Sequence, residues 1–314
     1  MNAHTPAAVI RISATEQAAS DLSMMKKWIQ RDFGESEKSI INVCTGCADG
    51  VPAFVHHVRM LAAFLHPHIS HSEFEELAAT YTYMSAMYYS IDASFDTQKA
   101  PASDSPGYGS VSDIARLAVM ATIRLHRFVR NFDETVSILV VNQFTVALAD
   151  AQKALSEENC YRSSKDVEYC EKREFFHMWG RSNAFLFLAQ ALAASARGAL
   201  DEHVEATIKR FLFLTQFADD IVDWRDDFAS ANWTPFLRKC RSAITEPHSL
   251  ERFEEAILLG GMYEQGLSEV ISGLTDIATN LKEANHQLFR SAIQRRVSVA
   301  AEHLESLLQI KAEH

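Results

Sequence analysis

Five carboxylates fall within the nine residues from Asp219 to Asp227, in the run Gln216-Phe217-Ala218-Asp219-Asp220-Ile221-Val222-Asp223-Trp224-Arg225-Asp226-Asp227. At about 100° of turn per residue, Asp219, Asp223 and Asp226 share one line of a helix, with Asp220 and Asp227 flanking it. Phe217, Ile221, Trp224 and Phe228 lie on the other side. Carboxylates so spaced repel one another by a few tenths of a kcal/mol per pair. A solvated acidic face is the competing reading, but such a face interleaves Lys and Arg with its acids, and here Arg225 is the only base between Gln216 and Phe228. A hard divalent cation is the simplest compensator, since Mg²⁺ takes oxygen ligands and is commonly shared between a few carboxylates and a phosphate. The chemistry to expect is metal-assisted handling of an anionic ligand, with Asp219, Asp220 and Asp223 as ligands and Gln216 and Asp227 as accessories.

A second acidic pair, Asp92 and Asp96, is four residues apart and so on one side of a helix. It is followed by the clearest loop of the chain, Thr97 to Ser110, with Pro101, Pro106, Gly107 and Gly109. An active-site loop beside the aspartates and a domain linker are both consistent with it. The elements that must position these groups all read as helices. Glu16 to Phe33, Val51 to Leu65 and Ser72 to Phe95 have helical spacing, the third opened by Ser72 with Glu75 in capping-box register. Val111 to Arg130 carries Arg124 and Arg127. Phe132 to Leu155 follows, then a polar break around 156 to 164. A long stretch from Asp166 to Arg197 contains Lys172 and Arg181, Glu202 to Phe228 contains the acidic cluster, and Ser249 to Leu274 and Thr275 to Ile310 complete the pattern. The count is nine to eleven helices, with a loose arm at 1–15 and one helical domain over 16–314.

Composition sets the outer limits. Of 314 residues 47% are hydrophobic, enough to bury a sizeable core, and the scarcity of Gly (11) and Pro (7) favours helices. A net charge of -11 excludes a nucleic-acid surface, so a phosphate-bearing ligand must arrive through metal ions and a few local bases. The first residues lack the basic start and apolar run of a signal peptide and no stretch is long enough to span a membrane, so a soluble, cytoplasmic protein is expected. Cys44 and Cys47 have no second Cys-x-x-Cys to complete a zinc set with them or with His56 and His57, and read as idle thiols. The aromatics Tyr81, Tyr88, Tyr89, Phe95, Phe185, Phe187, Phe211, Phe213 and Phe217 read first as core.

Two aspartate-rich stretches over a hundred residues apart in an all-helical chain resemble the class I isoprenoid synthases (terpene and trans-prenyl synthases). Gln216-x-x-Asp219-Asp220-Ile221-x-Asp223 looks like the Gln-x-x-Asp-Asp-Ile-x-Asp of the trans-prenyltransferases. The run through Asp226-Asp227 and Trp233-Thr234-Pro235-Phe236-Leu237 is similar to bacterial members of the superfamily. Gly180-Arg181-Ser182 lies about where these synthases carry a basic residue followed by Thr or Ser.

The resemblance implies an all-α, single-domain helical bundle or barrel of the class I terpenoid synthase type, with a central cavity and aspartate-rich helices at its mouth. It implies three Mg²⁺ ions held by Asp92, Asp96, Asp219, Asp220 and Asp223, and a diphosphate contacted by Arg181, with Arg124, Arg127 and Lys172 as further bases. Asp92, Asp219, Asp220 and Arg181 would be the catalytic set. The chain departs from the pattern where Asp92-x-x-x-Asp96 replaces Asp-Asp-x-x-Asp, where no Arg-Arg pair follows Lys99, and where no basic N-terminal grip for a second diphosphate is evident. The first expectation is therefore a Mg²⁺-dependent terpene synthase, a lyase turning one geranyl, farnesyl or geranylgeranyl diphosphate into a cyclised or rearranged terpene. The second is a prenyltransferase joining isoprenoid units head-to-tail or head-to-head, and the third a catalytically silent helical partner. A homodimer is expected by analogy.

Overall fold

The computed structural model describes residues 14–34, 40–41, 44, 53–97, 111–162, 168–244, 250–283 and 286–313, leaving aside the side chains of 14–16, 18, 53, 92–97, 158, 161–162, 310 and 312–313. Among the described residues there are thirteen α-helices and no strand, confirming the all-α class. They are α1 (Ala14–Phe33), α2 (Ala53–Leu65), α3 (His71–Thr97), α4 (Val111–Val129), α5 (Glu134–Arg162), α6 (Glu171–Arg181), α7 (Asn183–Ser195), α8 (Glu202–Val222), α9 (Trp224–Ala229), α10 (Pro235–Ser242), α11 (Leu250–Glu254), α12 (Met262–Asn280) and α13 (Gln287–Glu313). The arm at 1–13, the loop from 98 to 110 and Cys47 lie outside the described residues.

The helix at the centre is α7, whose sequence NAFLFLAQALAAS is apolar on all sides. A helix of that kind has no face to give to water and must be surrounded. It packs against α2, α3, α5 and α8, and every residue from Asn183 to Ala194 except Gln190 is buried. Each large apolar side chain so enclosed stabilises the fold by about 1.5–3 kcal/mol before entropy is counted. The aspartate-bearing α8 packs chiefly against α12 and α6 and also touches α7. Its start is fixed by Asp201, whose carboxylate accepts from the His203 and Val204 amides at 2.9 and 3.2 Å. Its approach to α12 depends on Gly266 and Gly273, seven residues apart on one side of that helix. A Cβ there would come within 2.9 Å of Ile221 and 2.7 Å of Leu214 respectively, so α12 can lie this close to α8 only without side chains at those positions.

Several boundaries differ from the sequence reading for local reasons. The capping box of α3 is Ser70 with Glu73, not Ser72 with Glu75: the Ser70 amide donates to Glu73 at 3.1 Å and the Glu73 amide to Ser70 Oγ at 3.3 Å. The helix α5 runs through the expected polar break to Arg162. The expected long helix from 166 to 197 is two, parted at Ser182, and the expected helix from 202 to 228 is parted at Asp223. Near the C-terminus a break falls at Gly260-Gly261, after a π-helical turn over Glu255–Leu259, and α12 runs through the boundary expected at 274 to Asn280. Tyr89, expected in the core, is 60% exposed, whereas Tyr81, Tyr88, Phe185, Phe187, Phe211 and Phe217 are buried as expected.

Arg124 is fully buried, and its guanidinium is committed to structure. Nε and Nη2 donate to Asp32 at 2.8 and 2.6 Å and Nη1 donates to Glu76 at 2.8 Å, while Tyr83 Oη donates to Asp32 at 2.7 Å. The cluster pins α1, α3 and α4 together. Removing one partner leaves the others as uncompensated buried charges. Arg124→Ala is therefore expected to cost about 3–5 kcal/mol in urea denaturation. The exposed Arg127→Ala should change stability by no more than about 0.5 kcal/mol, and equal effects from the two would contradict this assignment.

Candidate functional site

The acidic stretch occupies the end of α8, the break at Asp223 and the short α9. Asp223 leaves the helical conformation (φ −89°, ψ 7°), although the Asp223 amide still reaches the Asp219 carbonyl at 2.9 Å and the Asp227 amide the Asp223 carbonyl at 3.0 Å. The side chains divide as helical geometry dictates. Asp219, Asp223 and Asp226 are exposed, and Phe217, Ile221 and Trp224 are buried. Asp220 and Asp227 stand at the edges of the polar line, nearest the apolar side, and both are drawn inward; Asp220 is only 8% exposed. Asp227 has a structural duty, accepting from Asn232 Nδ2 at 2.6 Å where the chain turns towards Pro235. The single base of the stretch does not relieve the aspartates. Arg225 reaches away to Glu254 at 3.2 Å and lies over the Trp224 ring.

Beside this face is a cleft of about 120 Å³ walled by α8, α12 and α13, with Asp219 and Asp223 on one wall and Arg296 and His303 on another. Arg296 Nη1 stands 3.8 Å from Asp219 Oδ1. The Asp219 carboxyl is held above the usual carboxylate range, first by the protein packed around it and then by the charge of Asp223. Arg296 and Arg181 pull it the other way. The upward shift thus comes mainly from burial, while Arg296 outweighs the repulsion from Asp223. Burial raises the Tyr263 phenol, and the nearby Asp223 carboxylate adds to the effect, which places Tyr263 of α12 beside the break.

Of the sequence-expected bases, Arg181 at the end of α6 is half-buried and close enough to act on Asp219. Lys172 and Arg127 are exposed, and Arg124 serves the buried cluster described above. Gln216 is half-buried on α8. Asp92 and Asp96 fall on the last two turns of α3, with side chains outside the described residues. Among the described residues no three His, Cys, Asp or Glu side chains converge closely enough to hold a metal ion. Asp219, Asp220 and Asp223 nonetheless match Mg²⁺ in donor chemistry, being oxygen-only and on adjacent turns, as one wall of a site beside Arg296.

Sequence reasoning missed Arg296, His303 and Tyr263. Their signal was weak but present: Arg296 lies three residues after Ile293 and four before Ala300, both buried, and so borders the apolar stripe of α13. Also unforeseen was the buried pair of Arg238 on α10 with Glu174 on α6, in which Arg238 Nε donates to Glu174 at 3.2 Å and the guanidinium also reaches the Trp233 carbonyl. In the core, His57 Nδ1 meets Tyr81 Oη at 2.9 Å, and its ring contacts Phe185, which leads through Phe211 to Phe289.

The architecture is shared with solved structures. A geranylgeranyl pyrophosphate synthetase from the archaeon Geoglobus acetivorans matches with a TM-score of 0.66 at 10% identity, over 90% of this chain and 98% of that one. A heptaprenyl diphosphate synthase from Staphylococcus aureus matches with a TM-score of 0.63 at 9% identity, over 90% of this chain and 98% of that one. A geranylgeranyl pyrophosphate synthetase from Pyrococcus horikoshii matches with a TM-score of 0.64 at 11% identity, over 91% of this chain and 99% of that one. No protein-family model and no curated protein matches the sequence. The chain therefore has the all-α fold of the class I isoprenoid synthases, and no described helix is long and apolar enough to cross a membrane.

Because its folded-state pKa is raised, the fold prefers Asp219 uncharged, and the penalty applies only where the carboxyl is ionised. Asp219→Asn should leave stability at pH 7 unchanged or higher by about a few tenths of a kcal/mol, with the gain fading as pH falls through the raised folded-state pKa and gone below the ordinary carboxylate value of about 4. A lower melting temperature at pH 7 would show that the pair with Arg296 outweighs burial and repulsion together.

Proposed function

We propose that the protein is a Mg²⁺-dependent prenyltransferase that ionises an allylic prenyl diphosphate and joins the hydrocarbon to a second isoprenoid unit. The observation that carries this reading is the likeness over nine tenths of the chain to prenyl diphosphate synthases, with the Gln-x-x-Asp-Asp-Ile-x-Asp sequence at the end of a helix beside an open cleft. That likeness supports the second expectation from sequence over the first. Cyclisation of a single diphosphate is retained as a second reading on one specific ground, the lack of an Arg-Arg pair after Lys99.

In this reading Asp219, Asp220 and Asp223, with Asp92 and Asp96 from α3, hold the metal. Bound Mg²⁺ supplies Lewis-acid stabilisation of the leaving diphosphate. Arg181 donates to the diphosphate oxygens, for which a guanidinium fork is well matched. The C–O electron pair departs with the diphosphate, the double bond of the second unit supplies the pair for the new C–C bond, and the cation left on that unit regains a double bond by losing a proton to the released diphosphate. Phe185, Phe211 and Phe289, packed ring against ring in the core, are the candidates to exclude water from the hydrocarbon chain.

A homodimer is part of the proposal. Val119 (58% exposed) and Ile123 on α4 and Ile138 (53%), Leu139 and Val146 (57%) on α5 put large apolar side chains in water on two helices adjacent in sequence. A two-fold axis would pair that face with its own copy. Light scattering on a sizing column should give about twice the 35.2 kDa chain mass, and Val119→Asp with Val146→Asp should return the monomer. A wild-type monomer at all concentrations would remove this element alone.

The activity is tested by incubating the protein with geranyl, farnesyl and geranylgeranyl diphosphates, with and without Mg²⁺ and isopentenyl diphosphate, and analysing products by mass. A longer diphosphate formed only with both additions is the expected result. A hydrocarbon or alcohol from one diphosphate alone would establish the cyclising reading, and no turnover the silent-partner one. Asp220→Ala should reduce turnover by about two orders of magnitude or more, whereas Asp227→Ala, whose carboxylate faces Asn232, should do less.

A further inference from the structure

Arg296 and His303 are the basic side chains of the cleft lining, and only Arg296 carries an ion contact to an aspartate of that wall. Its Nη1 is 3.8 Å from Asp219 Oδ1, beyond hydrogen-bond length, and both side chains are about half exposed, at 51% and 53%. Its backbone is fixed, because Ile293 and Ala300 on either side are buried. Its charge is felt in two directions. It offsets the repulsion at Asp219, and it helps keep His57 of α2 neutral, where burial comes first and His56 and Arg296 add to it. Arg296 therefore stands on α13 at its contacts with α2 and α8, within 3.8 Å of the Asp219 carboxylate.

We propose that Arg296 couples metal binding to diphosphate binding: it holds the Asp219 carboxylate in the empty site and passes to a diphosphate oxygen when a divalent cation takes that carboxylate over. The inference rests on the prenyl-diphosphate reading and deepens it. A guanidinium and a metal ion repel each other, so both cannot neutralise one carboxylate at close range. Metal entry displaces Arg296 from Asp219 but leaves it in the cleft, because its helix is anchored. The anion that then arrives is the diphosphate, whose oxygens suit a guanidinium fork better than a single carboxylate contact at 3.8 Å does. Metal thus frees the base that the diphosphate needs, and by reciprocity the diphosphate tightens the metal.

The test is calorimetric titration of the full chain and of Arg296→Gln with Mg²⁺ alone, and with inorganic pyrophosphate in the absence and presence of saturating Mg²⁺. Arg296→Gln should bind Mg²⁺ alone roughly two- to fivefold more tightly, the amount an exposed ion pair withholds. It should bind pyrophosphate in saturating Mg²⁺ about tenfold or more weakly, the loss of a charge-assisted hydrogen bond. Arg296→Lys should retain part of both effects, and a half-exposed site lets both variants fold, as circular dichroism will verify. Weaker Mg²⁺ binding, or unchanged pyrophosphate affinity, in Arg296→Gln overturns the coupling while leaving the prenyl-diphosphate reading standing. A wild-type chain that binds neither Mg²⁺ nor Mg²⁺-pyrophosphate overturns both.

Discussion

The constraint on which the rest of the structure depends is electrostatic: carboxylates are crowded at the C-terminal end of α8, where the helix already presents its own negative pole. Left to itself such an end would fray. It is kept in place by the matching charge at the other end, where Asp201 caps the free amides, and by packing against α6, α7 and α12. Of these α7 is apolar throughout, and α12 is brought close by the two positions that lack a Cβ. The next turn of chain is fastened separately, through Asp227 to Asn232 and through Arg238 to Glu174. Stability taken from apolar contact and buried pairs is spent on holding charge where charge is unfavourable.

The fold was legible where periodicity was long and uniform. The helical class, the extent of α1, α2 and α4 and the start of α8 all follow from apolar spacing and punctuation in the sequence. The division of α8 into an exposed aspartate line, two half-turned carboxylates and a buried aromatic side was likewise written in the 100° step. What sequence could not supply was decided by tertiary packing. Ser182 and Asp223 break helices without Gly or Pro, because the flanking segments dock on different neighbours. The cap of α3 moved two residues because two serines stand in competing registers. Arg124 had the spacing of a site base, but whether an arginine on an amphipathic helix faces ligand or core depends on which acids of other helices lie opposite. Asp32 and Glu76 lie 92 and 48 residues away in the chain. The contribution of α13 to the cleft is of the same kind, since Arg296 and Asp219 are 77 positions apart and meet only in three dimensions.

The likeness to prenyl synthases at about one residue in ten shows how little of such a sequence the architecture demands. A helical bundle accepts almost any set of apolar residues of suitable size on its inner faces. The acidic end of α8 is different, since its residue types have a cost to stability and no benefit to packing. Fold and site are thus separate arguments here, and the site carries the chemistry.

The central position of α7 also bears on how the chain is made. The apolar faces of α2 and α3 are complete once Thr97 has been synthesised, yet the helix they close upon begins at Asn183. At ribosomal rates of about 5–20 residues per second, those faces stay without their partner for on the order of 5–20 s. Contacts so distant in sequence are slow to form even in a finished chain. Because α3 can close early on α4, the part of the first third left waiting during synthesis is the face that α2 and α3 turn to α7.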